Sequence, residues 1–373
     1  MADRFWVAST SQSFSDTTYW STTSGGSGGA SVPGSSDTAI FDANGTGDCT
    51  VSASITIVGL SKTSGNTGNL IISSGVVLKC TSDLSVIGGT VTINGTLRSD
   101  TTVSALTASY AGSGKVYIAN YSNNKTIYLS FDTSNFPIHC YAQANNTTWL
   151  FSASTKTFNG YIKFEQKAGY TGGSVDSNTN NPDIILKDDL TILGDITWSK
   201  GTGTITASGT ADQSWDFSGS SVEDIYIDKT SGTVTLTGDV NPDTLTLTSG
   251  TLDIDGNNIT TAGAFTQAFG TTCQDTAGGG LISVGGNFAI NGTSVNPCVL
   301  DGPDLDVTGT AEASWTTVTD SNASTGTTVD ATNNCTDGGG NDSGWNFGST
   351  SPGYRKGFLN MQDSQNMGVL LQI

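Results

Sequence analysis

Leu70-Ile71-Ile72, Val76-Val77-Leu78, Leu84-Ser85-Val86 and Val91-Thr92-Ile93 follow one another at steps of six to eight residues, with Ser73-Ser74-Gly75 and Gly88-Gly89 between them. Each triplet has β-branched or aliphatic residues at alternate positions, the period of a strand with one face turned inward. The glycine-bearing spacers supply the turns. The same texture returns in Val234-Thr235-Leu236, Leu245-Thr246-Leu247, Leu252-Asp253-Ile254 and Asn258-Ile259-Thr260. Hairpin sandwiches use longer strands with turn signals about every 8–12 residues. Strands this short at this step suit three per coil and a coil of ~20 residues. The fold expected is all-β: a parallel β-helix, or solenoid, over residues 48–347.

The regions on either side differ. Residues 1–47 bring Phe5, Trp6, Phe14, Tyr19 and Trp20 ahead of the flexible run Ser24-Gly25-Gly26-Ser27-Gly28-Gly29. Aromatics this dense suit an N-terminal cap, because a solenoid exposes its core at each end unless something covers it. Residues 348–373 form a short C-terminal extension that ends in Val369-Leu370-Leu371-Gln372-Ile373. A bare apolar segment needs cover, so Phe358, Leu370, Leu371 and Ile373, with Trp6 and Trp20, are the candidates for end-capping or subunit contact. Between residues 100 and 182 the rhythm breaks and aromatics crowd in. That leaves open either wider coils or an inserted sheet. Aromatics beside Asn and Gln also suit a carbohydrate platform, with Trp149, Tyr161 and Tyr170 as glycan-contact candidates. The competing reading is a core richer in aromatics.

Hydrophobic residues make up 35% and charged residues 13% of the 373, with 48 glycines. Disorder pairs low hydrophobicity with high charge density, so this balance points instead to short strands and tight polar turns. Acids outnumber bases by 33 to 14. A nucleic-acid binder needs a basic patch, and here the bases are scattered along the sequence, so no nucleic-acid partner is expected. No run reaches the ~18–20 apolar residues of a membrane span, and Met1-Ala2-Asp3-Arg4-Phe5-Trp6 lacks the apolar core of a standard export signal.

Chemistry is sparse. The only histidine, His139, lies in Phe136-Pro137-Ile138-His139-Cys140 and reads as an ordinary packed or surface residue. The glycine-rich stretches lack the strand-to-helix context of a phosphate loop or dinucleotide fingerprint. No catalytic residue and no cofactor is assigned. The six cysteines include no Cys-x-x-Cys, which gives no zinc cluster; Cys273 and Cys298 sit in loop-like sequence and leave a disulfide open. Asp188-Asp189 and Asp253/Asp255 are the tightest acid pairs, and Asp253 and Asp255, two apart on a strand, would share a face and flank one ligand. Solvated turn and ladder acids are the plainer reading of both pairs. Asp253-Ile254-Asp255-Gly256-Asn257 and Asp337-Gly338-Gly339-Gly340-Asn341 offer oxygen ligands but match neither calcium-loop pattern, so no metal is assigned. Thr90-x-Thr92, Thr233-x-Thr235 and Thr244-x-Thr246 resemble an ice-binding array locally without constant register.

Three stretches carry a resemblance. Arg4-Phe5-Trp6-Val7-Ala8 through Tyr19-Trp20 to Val32-Pro33 and Ile40-Phe41-Asp42 resembles the start of many phage and bacterial β-solenoid surface proteins. Leu245-Thr246-Leu247 through Asp253-Ile254-Asp255-Gly256-Asn257 resembles repeats of tail-fibre and autotransporter-type β-helices, and Val318 to Phe347 resembles their closing coil. An autotransporter would add an export signal and a membrane barrel, so the resemblance is to bacteriophage tail-fibre or tailspike virion proteins. It implies a virion location, production in the host cytoplasm, a homotrimer attached to other virion proteins, and contact with host-surface glycan or decoration of the particle. The alternatives are a polysaccharide-degrading tailspike and a bacterial adhesin or ice-binding solenoid.

Overall fold

The computed structural model describes residues 2–101 and 103–348, and they form a parallel β-solenoid of about 14 turns. The C-terminal candidates Phe358, Leu370, Leu371 and Ile373 lie outside the described residues. Each strand hydrogen-bonds to its counterpart one coil away: Leu78 pairs with Leu97, Leu245 with Phe265, and Phe265 with Phe288. The pleat then sorts the side chains. In Val77–Cys80, Leu78 and Cys80 are buried while Val77 and Lys79 stay part-exposed. Stacking equivalent positions makes columns such as Leu78, Leu97, Val116, Ile138 and Ile162, so one apolar core runs along the axis.

One side of the solenoid is an uninterrupted ladder. It runs from Ile55–Ile57 through Val77–Cys80, Thr96–Ser99, Lys115–Asn120, Ile138–Ala142, Ile162–Gln166, Leu190–Leu193 and Gln213–Asp216. It continues through the last residues of Asp224–Leu236 and of Leu245–Asp253, then Thr272–Gln274, Cys298–Asp301, Thr316–Thr319 and Thr336–Gly339.

The other sides change partway. Val103 pairs with Leu129 and Leu106 with Ser134, so the strand Val103–Leu106 forks into two successors. Beyond the fork the coil is wider, and Ile162 pairs with Leu190. Residues 100–182 thus continue the same parallel solenoid with a larger bore. Phe131, Phe136, Trp149, Phe151, Phe158 and Phe164 fill it, all essentially buried. Trp149 is 0% exposed and therefore cannot offer a glycan a stacking face. The burial pattern BiBiB of Thr147–Phe151 turns its indole inward.

The aromatic cluster closes the N-terminal end. Ala2–Trp6 lies parallel to Asp37–Phe41 and antiparallel to Trp20–Ser21, the one antiparallel pairing among the described strands. Trp6, Phe14, Trp20 and Phe41 pack with ring centroids 4.9–6.0 Å apart. The indole nitrogens of Trp6 and Trp20 donate to the carbonyls of Gly47 (2.9 Å) and Phe14 (2.7 Å). Both side chains are fully buried in their own chain, so of the two roles open to them, end-capping and subunit contact, the packing is that of an end cap. The charged groups Lys62 and Glu223 enter the core with partners, as burial of charge requires: the Lys62 ammonium donates to Asn66 Oδ1 at 2.6 Å, and Glu223 accepts from the Trp198 indole at 2.8 Å and from the Gly201 amide at 2.7 Å.

Candidate functional site: a cation–aromatic ladder

On the continuous ladder, register sets Lys79, Arg98, Tyr117, His139 and Lys163 side by side on successive rungs, all pointing outward between buried neighbours. Tyr141 and Glu165 lie in register in the adjoining row. Asp100 ties the first two cations together, with one oxygen 2.7 Å from Lys79 Nζ and the other 2.7 Å from Arg98 Nε. The Arg98 guanidinium sits 4.9 Å from the centre of the Tyr121 ring, which is 48% exposed. Lys115 Nζ lies 5.9 Å from the Tyr117 ring. Tyr117 and Tyr141 tilt toward each other at 5.6 Å, and Tyr117 meets His139 edge-on at 5.1 Å. Beside Lys79 and Arg98 opens a groove of about 290 Å³, completed by Ser54, Ile55, Thr56 and Val77.

The electrostatics follow from this packing. Burial, reinforced by Lys115 and Lys163 and opposed by Glu165, lowers His139 to about 4, so the imidazole is neutral near pH 7. Its Nε2–H donates to Glu165 Oε2 at 3.0 Å, leaving Nδ1 buried without a partner. Glu165 feels burial as an upward pull, but Lys163 at 2.7 Å and His139 outweigh it and hold the carboxyl below its usual range. Burial, with Tyr121 and Tyr141 nearby, pushes the Tyr117 phenol well up. The face thus offers fixed cations, neutral phenols and hydrogen-bond donors beside exposed aromatic surface, the equipment for binding a polar chain bearing anionic groups.

Tyr161 and Tyr170 sit half-buried at the two ends of the Ile162–Gln166 rung, bordering this ladder. The sequence reading missed Lys79, Arg98, Tyr117, Tyr121 and Tyr141. A signal existed: Lys79, Arg98 and Tyr117 recur at one constant step, the length of a coil in that part of the chain. The bases scattered in sequence are gathered by register.

The acid pairs behave differently. Asp253 is buried, accepting from the Asp255 and Thr276 amides at 3.0 and 3.1 Å and from Gln274 Nε2 at 2.9 Å. Asp255 belongs to the following turn, with φ of 44°, so the two do not flank a common ligand. Asp188 accepts from the Asp189 amide at 2.8 Å, while Asp189 accepts from the Ser214 amide at 2.7 Å. A trough of about 630 Å³ lined by Gln274, Asp275, Asp301, Asp304 and Asp320 opens near the other end. Among the described residues no group of three or more His, Cys, Asp and Glu is placed to hold a metal ion. Cys273 and Cys298 are separate thiols: Cys273 pairs with Leu300 and Cys298 with Thr316, and the Cys298 thiol donates to the Ala268 carbonyl at 3.1 Å. Among the described residues no helix is long and apolar enough to cross a membrane.

No protein family, curated protein or solved structure matches this chain.

Proposed function

We propose that the chain is a bacteriophage virion protein of the tail-fibre or tailspike type, which attaches to host-surface glycan through its cation–aromatic ladder without cleaving it. The observation that carries the binding part is the in-register row of Lys79, Arg98, Tyr117, His139 and Lys163 beside the exposed Tyr121 ring. Lys79 and Arg98 stand one rung apart, with Lys163 three rungs further on; such spacing suits a polymer bearing recurrent charged groups, and a rigid sheet holds the side chains in place before binding. The virion part rests on the resemblance of the opening, repeat and closing stretches.

The test is binding of acidic and neutral capsular polysaccharides to the wild-type chain and to an Arg98→Ala/Tyr121→Ala variant. The reading expects acidic glycan to bind, more weakly as salt rises, and the variant to lose at least about tenfold in affinity. Equal binding by wild type and variant would overturn it. Mass spectrometry of purified virions tests the particle assignment.

The His139–Glu165 pair supports a second reading, a polysaccharide-degrading tailspike. A histidine oriented by a carboxylate is a general-base arrangement. Against it, the free lone pair is on Nδ1, which is buried and so closed to a sugar. A reducing-end assay decides: release by wild type that disappears in His139→Gln, with glycan binding retained, favours the enzyme.

A further inference from the structure

The same ladder face is polarised along its length. None of the fourteen Lys and Arg residues falls between Lys229 and Arg355, a stretch holding thirteen Asp and Glu. The cations of the face occupy the rungs from Val77–Cys80 to Ile162–Gln166. Exposed acids follow at the far end: Asp255 after Leu245–Asp253, Asp301 on Cys298–Asp301 and Asp320 after Thr316–Thr319, whereas Asp100 and Glu165, the acids beside the cations, are part-buried and already bridge Lys79, Arg98 and Lys163.

We propose that this face pairs with the same face of a second copy, the two rods antiparallel about a two-fold axis through the Gln213–Asp216 rung. Counting rungs outward from that centre sets Lys163 opposite Asp255 and Lys115 opposite Asp301. Arg98 then falls opposite Asp320. The rung of the cationic half that presents neutral His139 falls opposite the rung that presents neutral Gln274. Each match occurs twice, because a two-fold interface is self-complementary. Any parallel arrangement of this face, including a three-fold bundle built on it, sets the anionic third of one copy on that of its neighbour and is repelled.

The area suffices. About 14 rungs at ~4.8 Å give a face ~65 Å long, and a strand of about four residues is ~13 Å wide. That is roughly 800 Å² per copy, the size of a standard specific interface. Charge complementarity across exposed sheet surface is salt-sensitive, so the pair is reversible. The pairing stands independently of the glycan reading, and the two have one consequence in common: a paired ladder is closed to glycan, so acidic polymer and second copy compete for it.

The test is the mass of the full chain by light scattering and sedimentation equilibrium, without glycan, at about 50 mM and about 500 mM salt. The expected result is a dimer at low salt whose dissociation constant rises at least about tenfold at high salt. Lys115→Glu and Asp301→Lys should each weaken the dimer at low salt by a similar factor, and the double variant, which swaps the charges, should restore it. Arg98→Glu with Asp320→Arg repeats the cycle at a second contact if either first variant loses its far-ultraviolet strand spectrum. A monomer or a trimer at low salt, a dimer indifferent to salt and to single reversals, or a double variant weaker than both singles overturns the proposal. Since no glycan is present, none of these outcomes bears on the attachment reading.

Discussion

Trp20 fills the N-terminal plug: it is fully buried, its ring lies 4.9 Å from Phe14, 5.2 Å from Trp6 and 5.7 Å from Phe41, and its indole N–H satisfies the Phe14 carbonyl at 2.7 Å. Trp20→Ala removes ~150–250 Å² of buried aromatic surface, and substitutions of this kind cost about 3–5 kcal/mol. The orphaned carbonyl adds ~1 kcal/mol or more. A solenoid couples each coil mainly to its neighbours, so the loss should stay near the end it uncovers. Hydrogen exchange followed by mass spectrometry reads this directly. In the variant, amides of Asp37–Phe41 and Gly59–Lys62 should exchange faster by a factor set by about 4 kcal/mol, while those of Leu245–Asp253 keep their wild-type protection. Unchanged exchange in the first coils, or an equal loss along the whole rod, would refute the account of the plug.

His139 should make the protein acid-sensitive. Its folded value of about 4 lies below the ordinary 6.5, so the unfolded chain takes up a proton first, and stability present above pH ~6.5 is lost as pH falls toward about 4. Between pH 7 and pH 4.5 that amounts to about 2.5 kcal/mol. Urea midpoints at the two pH values should therefore fall further for wild type than for His139→Gln, and equal falls would remove the histidine from the explanation. Gly47→Ala should destabilise the cap by about 1–3 kcal/mol, because the added Cβ would stand 2.1 Å from the Thr10 carbonyl oxygen and 2.5 Å from its amide nitrogen. An unchanged melting midpoint would show that the Thr10 backbone yields.

The architecture was legible because a solenoid writes its strand period and its turns locally. Alternating residues such as Val234-Thr235-Leu236 and glycine spacers reported inward and outward faces before any tertiary contact was known, and clustered aromatics marked the end that needs a plug. Composition likewise kept the exterior polar. Sequence left the middle open between an inserted sheet and wider coils, since aromatics such as Trp149 fit a platform or a core equally by type. Only the packing turned that indole inward, and only pairing showed Val103–Leu106 forking into two strands. The acid pair also failed on geometry: alternation puts Asp253 and Asp255 on one face only while the strand continues, and the strand ends at Asp253 with Asp255 in the turn that follows. The ladder is the clearest division between the two levels. Lys79, Arg98 and Tyr117 are distant in sequence and adjacent in space, because the length of each coil, which varies with turn and bore, decides which side chains become neighbours. The kinds of side chain available were set residue by residue, whereas which of them share a face is a property of the register, and register exists only once the coils have stacked.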